Sequence, residues 1–195
     1  MTITWFGHSC FRIETKEAAI LIDPFSKDIG LRPPRIKDDL VLVSHNHYDH
    51  NNIEGINPEG MLIDGPGEYE KKGIYVRGIF SYHDKVEGKE RGVNTMYVIK
   101  AEDITVCHMG DFGQASFEKN QLDDIGDVDI LMIPVGGKYT IDYKEAVQIA
   151  GQIEPKIIMP MHYKVKDLKI DIDGPDKFVK ELGLMNSQSK SSETQ

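Results

Sequence analysis

Short apolar runs, cut at regular intervals by Gly, Pro, Asn and Asp, dominate the chain and predict a strand-rich fold. Thr2–Trp5, Cys10–Glu14 and Ala19–Ile22 read as a meander of strands with turns at Gly7-His8-Ser9 and Lys16-Glu17. Leu40–Ser44 is apolar at nearly every position, the pattern of a strand covered on both faces. Met61–Ile63, Gly73–Ile79, Met96–Lys100 and Ile104–His108 follow, and Ile130–Pro134 and Lys156–Met161 complete the set. A helical period appears in Ile141–Ile153, where Ala146, Val147, Ala150 and Ile153 share a face and Thr140 is the expected N-cap. Ser116–Ile125 and Pro175–Leu182 are weaker helical patterns. Strands first, then strand–helix–strand, predict helices packed outside two central sheets. Residues 1–184 are expected to form a single domain, and the Ser/Gln/Lys-rich 185–195 a disordered tail.

At 195 residues the chain can bury a full core. No apolar run approaches the roughly 18 to 20 residues of a membrane helix, and Met1-Thr2-Ile3-Thr4-Trp5 reads as a first strand and not as a signal peptide. The formal charge of −9 disfavours nonspecific grip on a nucleic-acid backbone. Cys10 and Cys107 lie in separate apolar strands without CxxC spacing, so they are expected in the core of a reduced, cytoplasmic protein.

Chemistry concentrates in Ser44-His45-Asn46-His47-Tyr48-Asp49-His50, directly after the apolar strand. Imidazole and carboxylate at this density form an N/O donor set for Zn, Mn, Fe or Ni. If the segment is extended, His45 and His47 project to one side and can share an ion, while Asp49 and His50 can reach a second. Further donors must come from elsewhere. His83, Asp111 and His162 each sit just past the end of an apolar strand, where a strand-framed site collects its residues. His108 lies inside a strand and reads as a core histidine.

This constellation, HxHxDH followed by a strand-end His, a Gly-Asp and a late His, resembles the metallo-β-lactamase superfamily, and the resemblance runs from Met1 to about Leu184. It implies a four-layer αββα sandwich with two metals at one edge between the sheets. His45, His47 and His83 would hold one divalent ion, Asp49, His50 and His162 a second, and Asp111 would bridge them. Zinc is the first expectation, with Mn, Ni or Fe as alternatives. Gly7-His8-Ser9-Cys10-Phe11, Gly65-Pro66-Gly67-Glu68-Tyr69, Arg91-Gly92-Val93-Asn94-Thr95 and Pro134-Val135-Gly136-Gly137 further resemble the small L-ascorbate-6-phosphate-lactonase-like branch.

The implied reaction is attack on a small ester, lactone or phosphodiester by a hydroxide shared between the ions. Asp49 and His8 are the expected catalytic residues, His8 overhanging the metals from the first turn to face substrate or move a proton. Alternatives are a nuclease or RNA-processing phosphodiesterase, a di-iron redox protein, and a non-catalytic metal sensor. The di-iron reading is weakened by His47, where such relatives generally carry Glu. Arg91 is a candidate for a substrate phosphate or carboxylate. Pro66-Gly67-Glu68-Tyr69 reads as a tight turn, with Glu68 as the alternative support for a ligand. Gly136-Gly137-Lys138-Tyr139-Thr140 reads as a strand-to-helix turn or a backbone approach to ligand, and Arg32-Pro33-Pro34-Arg35 as a rigid surface loop. The expected partner is a small-molecule substrate, anionic in one reading. A homo-oligomer is left open, and neither membrane nor nucleic acid is expected.

Overall fold

A computed structural model describes residues 1–183. Eleven strands form two mixed sheets. The first has the order β1 (Thr2–Gly7), β2 (Cys10–Glu14), β3 (Ala19–Ile22), β4 (Leu40–Leu42) and β5 (Met61–Ile63). Its meander is antiparallel to β3, and β3–β4–β5 are parallel. The second contains β6 (Gly67–Lys71), β7 (Ile74–Tyr82), β8 (Val93–Ala101), β9 (Ile104–His108), β10 (Ile130–Pro134) and β11 (Ile157–Met161), side by side in chain order. Here β6 to β9 are antiparallel and β9–β10–β11 parallel.

The continuous apolar runs are explained by burial on both faces. In β3, Ile20 and Ile22 face the second sheet while Leu21 points to the other side. In β8, Tyr97 and Ile99 join the inter-sheet core while Met96 and Val98 pack toward the helices. Alternation at period 2 therefore fills two cores from one strand. The sheets are also tied by a polar contact, since the buried Tyr97 hydroxyl lies 2.7 Å from Val43 O and 3.1 Å from Ile63 O. Cys10 and Cys107, one in each sheet, are free and fully buried.

Helices α1 (Gln121–Ile125) and α2 (Tyr143–Ile153) and a helical segment at 176–183 cover the second sheet, with Phe178 in its core. The outer face of the first sheet is covered differently, by a 3-10 turn at Lys27–Ile29 and by irregular chain bringing Phe25, Leu168 and Ile172 over Leu21. No helix among the described residues is long and apolar enough to cross a membrane.

Several element ends differ from expectation. The apolar run Leu40–Ser44 leaves the ladder after Leu42, because Ser44 N donates to the Asp23 carboxylate instead of a neighbouring strand. Pro66-Gly67-Glu68-Tyr69 leads into β6, an edge strand that pairs with β7 and sets Glu68 2.8 Å from Arg77 on the surface. Its charged sequence, Gly-Glu-Tyr-Glu-Lys, lacks the apolar signature of the central strands and suits an edge. The Ser116–Ile125 helix shrinks to α1 because Asn120 takes a left-handed φ of 74°, which ends helical geometry on its N-terminal side. The N-cap of α2 is Asp142, not Thr140: it accepts from Lys144 N and Glu145 N while Glu145 reaches back, a capping box. The stretch 185–195, expected to be a disordered tail, lies outside the described residues.

Candidate metal centre

The loops at one end of the two sheets carry the chemistry. Segment 44–50 is a series of turns and not an extended strand: His50 N and Asn51 N both donate to His47 O, at 2.9 Å each. The turn still brings the His45 and His47 rings to 4.6 Å and swings Asp49 and His50 toward the other side of the site. His83 follows β7, Asp111 follows β9, and His162 follows β11 with a left-handed φ of 50°.

All seven expected donors converge. His45, His47 and His83 form one group whose candidate ligand atoms lie within 4.8 Å of one another. Asp49, His50 and His162 form a second at the same criterion, and His8 belongs to it as well. Asp111 lies between: its Oδ2 is 3.3 Å from Nε2 of His50 and of His83, 3.2 Å from that of His162 and 3.9 Å from that of His45. His45 Nε2, His50 Nε2 and Asp111 Oδ1 are buried without a hydrogen-bond partner. Such atoms are costly to bury unless something else engages them. Of the chain's 7 histidines, only His108 stands outside the cluster.

A second layer of side chains, absent from the expectations, fixes these donors. Asp23 is fully buried at the end of β3. Its Oδ2 accepts from Ser44 Oγ at 2.7 Å and from His50 Nδ1 at 3.0 Å. With the Ser44 proton committed to Asp23, Ser44 Oγ accepts from His45 Nδ1 at 2.9 Å. One carboxylate thus sets the tautomer of two histidines and turns both Nε2 atoms inward, an arrangement common behind metal-binding imidazoles. Asn94 holds the Asp111 loop: its Oδ1 accepts from Asp111 N at 2.9 Å, and its amide donates to Met109 O and Ser81 Oγ. Gly110, φ 55°, is required there because a Cβ would lie 2.6 Å from Ser44 Cβ and against Asn94. Asp23 had a sequence signal, the strand-end position it shares with Asp111, but Asp-Pro also reads as an ordinary turn.

His8 is fully buried, so it does not overhang the centre from solvent. Its Nε2 lies 3.1 Å from Asp49 Oδ2, its ring 4.3 Å from that of His162, and its carbonyl accepts from His162 N and Trp5 Nε1. His108 is satisfied within the core, Nε2 donating to Ser9 O at 2.9 Å and Nδ1 accepting from Gly110 N at 3.1 Å. Glu68 lies on the surface with Arg77, so it supports no donor. Gly136 packs against the His162 carbonyl, the reason a Cβ is not tolerated there. Arg35 closes its loop by accepting from Arg12 through its carbonyl.

The electrostatics suit neutral imidazoles beside ionised acids. Burial, then His50, pushes His45 down to about 2. Burial, then His162, pushes His8 down to about 4. Burial and His83 lower His47. Burial opposes ionisation of Asp111, but His162 and His50 prevail and hold its carboxyl well below the usual range. His50 goes the other way: burial opposes its charge, yet Asp111 and Asp23 raise it.

A cleft of about 560 Å³ opens over the donors, with Tyr48, Arg91, Tyr139 and Lys169 on its walls. Arg91 is held there by Asp84, a buried carboxylate directly after His83 that accepts from the backbone amides of Val86, Gly88, Glu90 and Arg91.

The model of the beta-lactamase superfamily domain matches residues 2–162. A metal-dependent hydrolase of Staphylothermus marinus is 33% identical, covering 91% of this chain and 89% of its own length. One of Methanopyrus kandleri is 30% identical over 94% of both chains. Among solved structures, a proposed Zn-dependent hydrolase of the metallo-β-lactamase superfamily from Thermotoga maritima is 37% identical with a TM-score of 0.76, covering 92% of this chain and 84% of its own. A metallo hydrolase of Ignicoccus hospitalis, at 21% identity and a TM-score of 0.67 over 94% of this chain and 91% of its own, shares the fold.

Proposed function

The chain belongs to the metallo-β-lactamase superfamily, and from that premise we propose that it is a metal-dependent hydrolase whose His/Asp cluster holds two divalent ions. The observation that carries this reading is the pair of buried Nε2 atoms of His45 and His50, without hydrogen-bond partners and 3.9 and 3.3 Å from Asp111 Oδ2. His45, His47 and His83 would take the first ion, Asp49, His50 and His162 the second, and the Asp111 carboxylate would serve both. An all N/O set of this kind suits zinc first and accepts Mn, Ni or Fe. When bound, a pair of such ions supplies Lewis acidity and activates water at neutral pH.

The chain's own residues do the remaining work. Asp23 and Ser44 keep the Nδ1 protons of His50 and His45 pointing away from the centre, so that Nε2 is available without rearrangement. His8, neutral and buried, sets its Nε2 3.1 Å from Asp49 Oδ2, the oxygen that also faces His50 Nε2 at 3.7 Å, and so fixes the carboxylate that would meet the second ion. His8 is therefore a positioning residue for Asp49 in this reading. Tyr48 and Tyr139 wall the cleft, whose size matches a small ester, lactone or phosphodiester. The two free, buried cysteines accord with a reducing compartment such as the cytoplasm.

Elemental analysis of the purified protein, followed by turnover of lactones, esters and phosphodiesters after reconstitution, tests the assignment. The expected result is about two ions per chain, with hydrolysis lost in Asp111→Ala. Ions bound with no turnover across the whole panel would replace the hydrolase reading with a sensor.

A further inference from the structure

We infer that Arg91 and Lys169 form an anion subsite beside the ion-binding centre, so that the substrate carries an anionic group remote from the bond that is cut. The inference rests on the hydrolase reading and adds the class of substrate to it.

Unmatched positive charge lines the cleft. Apart from the donors, its charged residues are Arg91, Lys169 and Asp171. Asp171 is paired to Lys138, so its charge is already met. Lys169 has no ion pair among the described residues. Arg91 has only its neighbour Glu90, at 3.2 Å on the exposed side. Two divalent ions balanced by Asp49 and Asp111, with the Asp23 carboxylate behind His50, would leave the cleft net positive within a chain of net charge −9. A local reversal of sign over a concave surface attracts and orients anions.

Both cations are also presented by braced backbone. Two of the four amides bound by the buried Asp84 belong to Glu90 and Arg91, at 2.9 and 2.8 Å. The Arg91 guanidinium then lies over the Tyr139 ring at 5.8 Å, which keeps its planar donor edge oriented. On the other loop, Lys169 N donates to Ile29 O at 2.8 Å, and Lys164 Nζ donates to the carbonyls of Leu168 and Ile170 on either side. Gly30 makes room for this approach, since a Cβ would lie 2.2 Å from Asp167 O and 3.1 Å from Lys169 Cγ. These contacts fix the backbone that carries the two side chains, the Arg91 one half-buried and the Lys169 one free to reach into the cleft. Phosphate and carboxylate share the chemistry that such a pair would recognise.

The test uses the metal-loaded protein and calorimetric binding, so it is independent of turnover. Methylphosphonate has one anionic end and reports the ions, whereas 3-phosphonopropionate and 4-phosphonobutyrate add a distal carboxylate that reaches outward. The expected result is that one of the longer probes binds at least about tenfold tighter than methylphosphonate, a difference of about 1.4 kcal/mol. That gain should vanish in the Arg91→Gln/Lys169→Gln double variant, with methylphosphonate affinity and metal content unchanged. Equal gains in wild type and variant, or no gain in either, overturn the subsite and leave the hydrolase reading standing. A missing methylphosphonate site in the loaded protein overturns both.

Discussion

The carboxylate of Asp23 shows how much of the centre depends on groups that touch no substrate. It binds Ser44 twice and His50 once from a position with no solvent access. Asp23→Asn keeps the volume but replaces one acceptor oxygen by a donor amide, so one of the paired histidines loses its fixed tautomer. Metal affinity should fall about 10- to 100-fold, read by competition with a chromophoric chelator, and an unchanged affinity would remove Asp23 from the design. Gly110→Ala is the converse case, an added methyl at φ 55° with Ser44 Cβ 2.6 Å away. Strain and overpacking should cost about 1–3 kcal/mol in urea denaturation, and the shift of Asn94 should lower metal content. The ligands themselves were legible because each dense or strand-end His or Asp stands out against apolar neighbours. Asp23 and Asn94 were not, since a single Asp before Pro or an Asn inside a strand has ordinary uses, and only the folded contacts separate them.

Among the elements, the parallel central strands were the easiest to read, because burial on both faces leaves an unbroken apolar run such as Leu40–Val43. Edge strand β6 was hidden by the reverse condition. Its outer side faces solvent, and its Glu and Lys residues protect an exposed edge without any hydrophobic pattern. The end of α2 was misplaced by two residues for a local reason: Thr140 and Asp142 are both N-cap residues, and the reciprocal bond with Glu145 decides for Asp142. Asp142→Ala should therefore destabilise the protein by about 1 kcal/mol in chemical denaturation while leaving metal content intact. A Thr140→Ala variant with the larger loss would return the cap to the position first expected.

For the whole molecule, the centre stitches together loops from both sheets, so ions bound there should stabilise the native state alone. Stripping them with a chelator should lower the melting temperature, and excess metal should restore it, by the linkage that governs any native-state ligand. Acid acts through a different group. Burial opposes ionisation of Asp84, but the four backbone amides prevail and hold its carboxyl at about 2, below the ordinary 3.8. A depressed native value means that its contribution is complete above about pH 4 and fades as pH falls toward 2. Wild type should thus lose stability over that window more steeply than Asp84→Asn, compared by urea titration of metal-free protein. The paired sheets were legible from strand pattern together with the family resemblance. The irregular cover over the first sheet was not, because Phe25, Leu168 and Ile172 are brought together from distant segments with no shared periodicity.

One thiol stands in each sheet, Cys10 in β2 and Cys107 in β9, and neither has any exposed surface. Burial also keeps both protonated, Cys107 pushed up to about 12 and Cys10 raised further by Asp23 after burial, so an alkylating reagent meets no nucleophile in the folded protein. Labelling can proceed only when a sheet opens, and mapping the modified peptide over time would therefore time the two halves of the sandwich separately. Equal rates mean that the sheets part in one cooperative event, whereas earlier modification at Cys10 would mark the half under the irregular cover as the first to yield.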